Sequence, residues 1–156
     1  MSNNTAKEHS QQEREAFIKQ RRESREQCFA ILFEMTFTDD SYMDIIDTAT
    51  ESRLIAVDEF MLTVLDHFEK HREEIDGIIK ANIKGWKFER LSRVPLSAMR
   101  LALCEIKSCK TPPGVAINEA VELTKKYGGE REPSFVNAVL SAAAKTLGDN
   151  KNNEKQ

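Results

Sequence analysis

Residues 115–140, VAINEAVELTKKYGGEREPSFVNAVL, encode a helix, a stop and the beginning of a second helix. Apolar residues recur at helical spacing up to Tyr127, and the following Gly128-Gly129 predicts a C-terminal cap. Pro133 suits the first turn of the next helix, because proline is tolerated where a helix begins. The stretch therefore predicts two consecutive helices joined by a short connection. The predicted packing face of the first helix consists of Val115, Ala116, Ala120, Leu123 and Tyr127.

The same helical period extends over most of the remaining chain. We predict a first helix over about 12–36 and a short one over about 42–50. The clearest pattern lies in 57–68, and its period continues up to Gly85. A further apolar stripe covers 96–106. No strand pattern or internal repeat is found, so the sequence predicts an all-α fold of six or seven helices.

The length of 156 residues suits one domain, and the 40% hydrophobic content is enough for a core. We predict a single helical domain over 11–147, with disordered polar tails over 1–10 and 148–156. No apolar run approaches the ~18 residues of a membrane span, and the polar N-terminus has no secretory core segment. We therefore expect a cytoplasmic protein without membrane contact.

The three cysteines are odd in number and form no C-x-x-C pair. Reduced, mostly buried thiols are expected from this pattern. They are Cys28, Cys104 and Cys109.

The net charge of −3 conceals a strong asymmetry along the chain. Residues 36–60 contain seven acidic residues and one arginine, whereas 80–110 contain eight Lys/Arg and two glutamates. A smaller basic cluster lies at 19–25. Separate patches of opposite sign favour oriented binding to a charged partner, although a solvated face explains the same pattern.

The candidate chemistry of the sequence is sparse. Glu119 and Glu122 are three residues apart on a predicted helix, and His67 and His71 are four apart on another. Both spacings are compatible with a metal site, but the residue after His67 is phenylalanine where a zinc peptidase needs its glutamate base. Gly128-Gly129 lacks the preceding strand of a phosphate loop. We therefore expect no enzyme, no catalytic residues, no metal and no cofactor.

The arginines of the first helix are better candidates for binding. Arg21, Arg22 and Arg25 lie within about one helical turn. Guanidinium groups on one helix face can hydrogen-bond a phosphate backbone. Because Glu23 and Glu26 are interleaved with them, salt bridges within the helix are the competing interpretation.

Three stretches together resemble the NusB family of transcription antitermination factors. They are RRESREQCFAILFEM at 21–35, MRLALCEI at 99–106 and, most specifically, VAINEAVELTKKYG with FVNAVL inside 115–140. The similarity covers about 21–147, nearly the whole predicted domain.

The resemblance implies an all-α fold of two packed helical bundles. It implies binding of single-stranded boxA-type RNA from ribosomal RNA leader transcripts, together with the ribosomal small-subunit protein NusE. The pair then modifies the elongating RNA polymerase, which the protein itself contacts only indirectly. A homodimer is a further arrangement that the resemblance leaves open.

The resemblance also implies a set of RNA-binding residues. Arg21, Arg22 and Arg25 match the arginine-rich start of the family's first helix, and Arg100 matches the arginine of its L-R-x-A segment. Phe33 lies where the family often has an aromatic residue, and Phe135 matches the phenylalanine of F-V-N. Cations for phosphates and flat rings for unstacked bases are what RNA recognition requires.

Two rival functions are compatible with the sequence. One is a helical adaptor without RNA, which would use the basic 80–110 region against an acidic protein. The other is a metal-dependent helical enzyme, which would use Glu119, Glu122 and the two histidines.

Overall fold

The computed structural model describes residues 2–52 and 55–154, with side chains described for 3–52 and 55–148. Within these residues the fold is all-α, as predicted, and contains seven α-helices, a 3₁₀ turn and no strand. The helices are α1 (Ser2–Met35), α2 (Tyr42–Glu51), α3 (Glu59–Lys70), α4 (Arg72–Asn82), α5 (Arg93–Ser108), α6 (Pro113–Tyr127) and α7 (Glu132–Glu154), with the 3₁₀ turn at Phe88–Arg90.

Helix α1 is longer than predicted. Its polar first half, up to Gln20, is exposed along its described side chains, whereas its second half buries an apolar stripe. The outer turns of α1 and α7 run through 2–10 and 148–154, the ranges predicted as tails. The division into a domain over 11–147 and two tails stays a prediction. The buried stripe of α1 consists of Cys28, Phe29, Ile31, Leu32 and Met35.

Side-chain caps determine where α2 and α3 begin. The Ser41 hydroxyl accepts a hydrogen bond from the Asp44 backbone N–H (3.3 Å), and the Asp58 carboxylate accepts one from Met61 N–H (2.9 Å). Each cap satisfies a backbone donor that a helix start leaves unpaired. The helical period that continues through 57–83 is interrupted at His71, whose backbone (φ −123°, ψ 26°) ends α3 and begins α4.

Helix α5 lies at the centre of the molecule. It packs against five of the other six helices, α1, α3, α4, α6 and α7. Small side chains such as Ala98 and Ala102 are fully buried on it, which lets its neighbours approach closely. Two of the three cysteines, Cys28 and Cys104, are fully buried, and burial raises the pKa of both thiols. All three cysteines are free, as expected.

The α6–α7 connection depends on a glycine for space. Gly128 caps α6 in an extended conformation (φ −100°), and its N–H donates to the Thr124 carbonyl (2.8 Å). A Cβ at this position would lie 2.8 Å from that carbonyl oxygen and 3.2 Å from the Val94 Cγ1 atom. Helix α6 therefore ends where predicted. Glycine is required at position 128 because the Thr124 carbonyl oxygen and the Val94 side chain leave no room for a Cβ atom.

The predicted packing face of α6 is correct at its centre and wrong at its ends. Ala116, Ala120 and Leu123 are buried, but Val115 and Tyr127 are each nearly half exposed. No helix in the described part of the chain is long and apolar enough to cross a membrane.

Candidate nucleic-acid interface

The three predicted arginines of α1 point to three different neighbours. Arg21 lies over aromatic rings, with its guanidinium carbon 4.1 Å from the centroid of Phe60 and 5.2 Å from that of Phe17. It makes no ion pair within the described residues. Its charge is therefore held by ring faces and remains available to an anion.

Arg22 faces a groove between α1 and α6. Its Nε donates to Glu119 Oε1 at 3.2 Å, and the Arg22 side chain is 62% exposed. Further along the groove, Lys126 of α6 donates to Glu26 of α1 at 2.6 Å, and the Tyr127 hydroxyl donates to the same carboxylate. The hydrogen bonds from Lys126 and then Tyr127 lower the pKa of Glu26, so this carboxylate is ionised at neutral pH.

Charges of opposite sign alternate in this groove. Its basic side chains each have a carboxylate partner, including Lys125, which pairs with Glu122 at 3.1 Å. A polyanion that binds in the groove must therefore replace these carboxylates as the ion-pair partners of the basic side chains. The lining consists of Arg22, Arg25, Glu26, Asn118, Glu119, Glu122, Leu123, Lys125 and Lys126.

Arg25 is directed into the domain. Its Nε and Nη2 donate to the Glu105 carboxylate of α5 at 2.8 to 3.0 Å, and Thr111 donates to the same carboxylate at 3.1 Å. Both charged side chains are buried. A direct RNA contact of Arg25 would require this pair to open.

Arg100 is similarly enclosed. Its Nε and Nη2 each donate to an Asp76 carboxylate oxygen at 2.9 Å, which joins α5 to α4. The residue is only 3% exposed, and its guanidinium lies 4.9 Å from the Phe68 ring centroid. This geometry favours a structural task for Arg100, and the RNA contact predicted for it stays a prediction.

Phe33 belongs to a row of neighbouring aromatic side chains, here called the aromatic row, which consists of Tyr127, Phe29, Phe33 and Phe37. Its centroid lies 6.4 Å from that of Phe29 and 5.2 Å from that of Phe37, and Phe29 stacks on Tyr127 at 5.5 Å. The row is buried at Phe29 and exposed at both ends, where Phe37 is 62% exposed and Tyr127 is nearly half exposed. Arg93 covers the Phe37 ring at 3.8 Å.

Phe135 is half-buried at the beginning of α7 and packs against the core. Its outer neighbour is Trp86, with ring centroids 5.6 Å apart and planes inclined at 60°. A crevice beside the two rings is also lined by Arg90 and Arg131.

Sequence reasoning did not identify Trp86, Phe37 or Arg131 as candidates, and it included Arg93 only in the basic 80–110 region of the adaptor alternative. An available signal was Trp86 itself, a large aromatic residue between two lysines in a glycine-containing loop, where burial is not expected. Phe37 also lies just past the end of a helix, outside the apolar stripe. Nothing in the local sequence predicts which of these residues lie together.

The histidines and glutamates considered for metal binding do not meet. The rings of His67 on α3 and His71 at the α3–α4 junction lie 4.4 Å apart and are inclined at 32°, whereas Glu119 pairs with Arg22 at the α1–α6 groove. Among the described residues no group of three or more His, Cys, Asp or Glu side chains is arranged to hold a metal ion.

Comparison with known proteins matches the NusB family model over residues 22–145. The transcription antitermination protein NusB of Clostridium botulinum (strain Loch Maree / Type A3) is 38% identical over 135 residues, covering 77% of this chain and 96% of the relative. The Bacillus mycoides (strain KBAB4) protein of the same name is 37% identical over 128 residues, covering 81% of this chain and 98% of that protein.

Solved structures show the same similarity. NusB of T. maritima superposes with a TM-score of 0.71 at 29% identity, covering 80% of this chain and 90% of that one. A crystal structure of antitermination factors NusB and NusE in complex with dsRNA contains a chain that superposes with a TM-score of 0.72 at 30% identity, covering 81% of this chain and 96% of that one. With a family match over most of its length and close agreement in fold, this chain belongs to the NusB family of transcription antitermination factors.

Proposed function

We propose that this protein binds boxA-type single-stranded RNA of ribosomal RNA leader transcripts together with the ribosomal protein NusE. Through that complex it modifies elongating RNA polymerase in the cytoplasm so that transcription continues past terminators. The observation that carries the proposal is the α1–α6 groove with Arg22 at its edge, in a chain of the NusB family.

The proposed RNA contacts divide by accessibility. Arg21 and Arg22 are accessible and would meet phosphates directly, as charge-assisted hydrogen bonds require. Phe135, at the edge of the core, would stack on an unpaired base. Arg25 and Arg100 would act mainly by holding α1 and α4 against α5, because their guanidinium groups are occupied by buried carboxylates.

The aromatic row suits a protein partner. Exposed aromatic rings beside an arginine are the composition found at the centre of protein interfaces. Phe37 and Tyr127 are both well exposed, and Arg93 lies over Phe37. The RNA contact predicted for Phe33 and the NusE contact proposed for Phe37 would lie side by side, as a composite surface requires.

Two features support this proposal over the adaptor alternative. One similar structure is a complex of NusB and NusE with double-stranded RNA, so a relative of this chain binds both kinds of partner. In this chain the α1–α6 groove and the aromatic row also adjoin each other through Tyr127, which contacts Glu26 and Phe29.

The test is titration calorimetry of the full chain with boxA-containing single-stranded RNA, with NusE, and with both. We expect NusE to raise RNA affinity and RNA to raise NusE affinity by the same factor, as linkage requires. Scrambled RNA and a boxA duplex are the controls for sequence and strandedness. Arg22→Gln should weaken RNA binding while NusE binding in the absence of RNA is retained.

Independent binding of NusE and RNA would overturn the composite surface. NusE binding with no RNA binding under any condition would instead establish the adaptor. Sedimentation of the free protein over a concentration series, with and without RNA, tests whether a homodimer covers the RNA face.

A further inference from the structure

Two exposed apolar side chains from neighbouring helices line one groove on the surface of the domain. Met43 on α2 is 45% exposed and Leu62 on α3 is 38% exposed. The groove, here called the α2–α3 groove, has a volume of about 640 Å³ and shares no residue with the α1–α6 groove or the aromatic row. Its lining consists of Tyr42, Met43, Leu62, Thr63, Asp66, His67, Lys70, His71 and Ser108.

Hydrogen bonds hold the two helices together along this groove. The Tyr42 hydroxyl of α2 donates to Asp66 Oδ1 of α3 at 3.2 Å. The second oxygen of the same carboxylate accepts a hydrogen bond from Lys70 Nζ at 2.9 Å. The positive charge of Lys70 is therefore already compensated within the groove, and the Tyr42–Asp66 contact fixes the separation of the helices in the free protein.

The rim of the groove is acidic. Asp47 follows Met43 by four residues on α2, and on α3 Glu59 precedes Leu62 by three residues and Glu69 follows it by seven. Residues at these spacings lie on the same helix face. Within the part of the chain that the structure describes, none of these three carboxylates takes part in an ion pair or a side-chain hydrogen bond. Residues 39–52 add to this negative field, because they contain five acidic residues and no lysine or arginine.

The charge of the rim restricts what can cover the exposed apolar side chains. Unpaired carboxylates repel the phosphates of RNA and of an anionic lipid surface, whereas they attract and orient a cationic protein. A groove between two helices accepts the apolar face of a third helix, whose anchor residues then recur at i, i+3 or i+4 and i+7. Apolar anchors and flanking basic residues are thus the complement of this groove.

We propose that the α2–α3 groove is the docking site for a basic amphipathic helix of a protein partner other than NusE. The apolar face of that helix would cover Met43 and Leu62, and its lysines or arginines would face Asp47, Glu59 and Glu69. This docking site is independent of RNA binding, since it uses neither of the two surfaces proposed for RNA and NusE.

The probe for this site is a labelled synthetic helical peptide with leucines along one face and lysines on the others. Its fluorescence anisotropy is followed as the full chain is added. The control peptide has the same composition, with the leucines distributed around the helix. We expect the striped peptide to bind more tightly than the control, with an affinity that falls as salt screens the exposed charges.

The apolar contribution is tested by removing one side chain at a time. Met43→Ser and Leu62→Ser should each lower the affinity for the striped peptide about fivefold, because roughly half of each side chain remains to be buried. Val115→Ser is the matched control, since Val115 is 45% exposed on α6, outside the groove. Circular dichroism checks that each variant keeps its helix content.

The rim is tested by its effect on salt dependence. Asp47→Asn and Glu69→Gln should each weaken peptide binding at low salt and reduce its salt dependence, as expected for charges at the rim of an interface. Glu130→Gln removes an exposed carboxylate outside the groove and should leave both quantities unchanged.

Competition decides whether the groove is a separate surface. Peptide binding that persists when NusE and boxA RNA are bound supports the proposal. Displacement of the peptide by NusE overturns it and assigns the groove to NusE. Equal affinity for the two peptides also overturns it, because binding is then attraction to a charged surface alone. Self-association of the free protein that Leu62→Ser abolishes and Val115→Ser retains overturns it in favour of a second copy of the chain. None of these outcomes changes the test of RNA binding described above.

Discussion

At the scale of single residues, the partner of a charged side chain decides what that side chain can do. Arg21, Arg22 and Arg25 are close in sequence, but one lies on aromatic rings, one on a surface carboxylate and one on a buried carboxylate. Of the three, only Arg22 is both exposed to solvent and bound by a surface carboxylate, because its Nε donates to Glu119. Glu119 therefore competes with RNA for the same guanidinium.

Removing that competitor should strengthen RNA binding. We expect Glu119→Gln to raise RNA affinity by up to about fivefold, because a surface ion pair contributes roughly 0–1 kcal/mol that phosphate no longer has to replace. Fluorescence anisotropy with labelled boxA RNA at fixed salt measures the change.

Glu122→Gln is the matched control for this substitution. It removes the same charge from the same helix, but its partner Lys125 lies on α6 itself, so Arg22 is unaffected. An equal gain of RNA affinity in both variants would show that the change in net charge alone explains the stronger binding. Weaker binding in Glu119→Gln would mean that Glu119 orients Arg22 for RNA.

At the scale of the helices, α5 carries the connections that hold the surface helices in position. Glu105 on α5 binds Arg25 of α1, and Arg100 on α5 binds Asp76 of α4. Both pairs are buried and bidentate, which restricts orientation as well as distance. The position of α1, and hence of Arg22, thus depends on a contact that RNA never touches.

Breaking one of these pairs should destabilise the domain. Arg25→Ala leaves Glu105 buried without its main partner, and the loss of a partner in a buried pair costs about 3–5 kcal/mol. Urea denaturation at neutral pH should show this decrease in the free energy of unfolding.

A double variant separates charge burial from lost packing. Arg25→Met combined with Glu105→Leu removes both charges and keeps apolar volume, so it should recover much of the stability that Arg25→Ala loses. Wild-type stability in Arg25→Ala would show that the pair contributes nothing to the fold and would leave Arg25 free for RNA.

At the scale of the whole molecule, the cations fall into two classes by location. Several cations that join one helix to another are paired with carboxylates, namely Arg22, Arg25, Arg100 and Lys126, whereas the cations around Trp86 are unpaired within the described chain. A weakly acidic protein can therefore present a local positive surface without a general affinity for polyanions.

The stability of the whole domain should depend on one histidine near the α3–α4 break. Burial, and next the neighbouring His71, lower the pKa of His67 below 6.5, and its Nε2 is buried without a hydrogen-bond partner. Lys107 also lowers this pKa, while Glu74 and Asp66 oppose the shift. Since the unfolded chain binds the proton more readily, stability is fully present above about pH 6.5 and falls as the pH drops toward the folded pKa.

We expect His67→Gln to reduce this loss of stability between about pH 7.5 and pH 5.5, measured by urea denaturation at each pH. His9→Gln, at an exposed position on α1, is the matched control for the loss of one histidine. An identical pH profile in wild type and His67→Gln would contradict the assignment.

The helices and much of the core were predictable from the sequence because helical periodicity is a local property. The stripe at 96–106 lies on α5 as expected, and Gly128 ends α6 where predicted. The stripe at 57–68 lies on α3 from Phe60 onward, but its first predicted member, Val57, precedes the helix and is exposed. The break at His71 was not predicted, because the apolar period continues through this position. The non-helical backbone of His71 that separates α3 from α4 leaves no signal in that period.

The roles of the site residues could not be read from the sequence in the same way. Arg22 and its partner Glu119 are 97 residues apart, and Arg25 and Glu105 are 80 apart. The sequence by itself determined which residues are cationic, aromatic or apolar, and which helix carries each. Only the tertiary structure decided which cations are paired and which rings are open, because both depend on helices that meet through long-range packing.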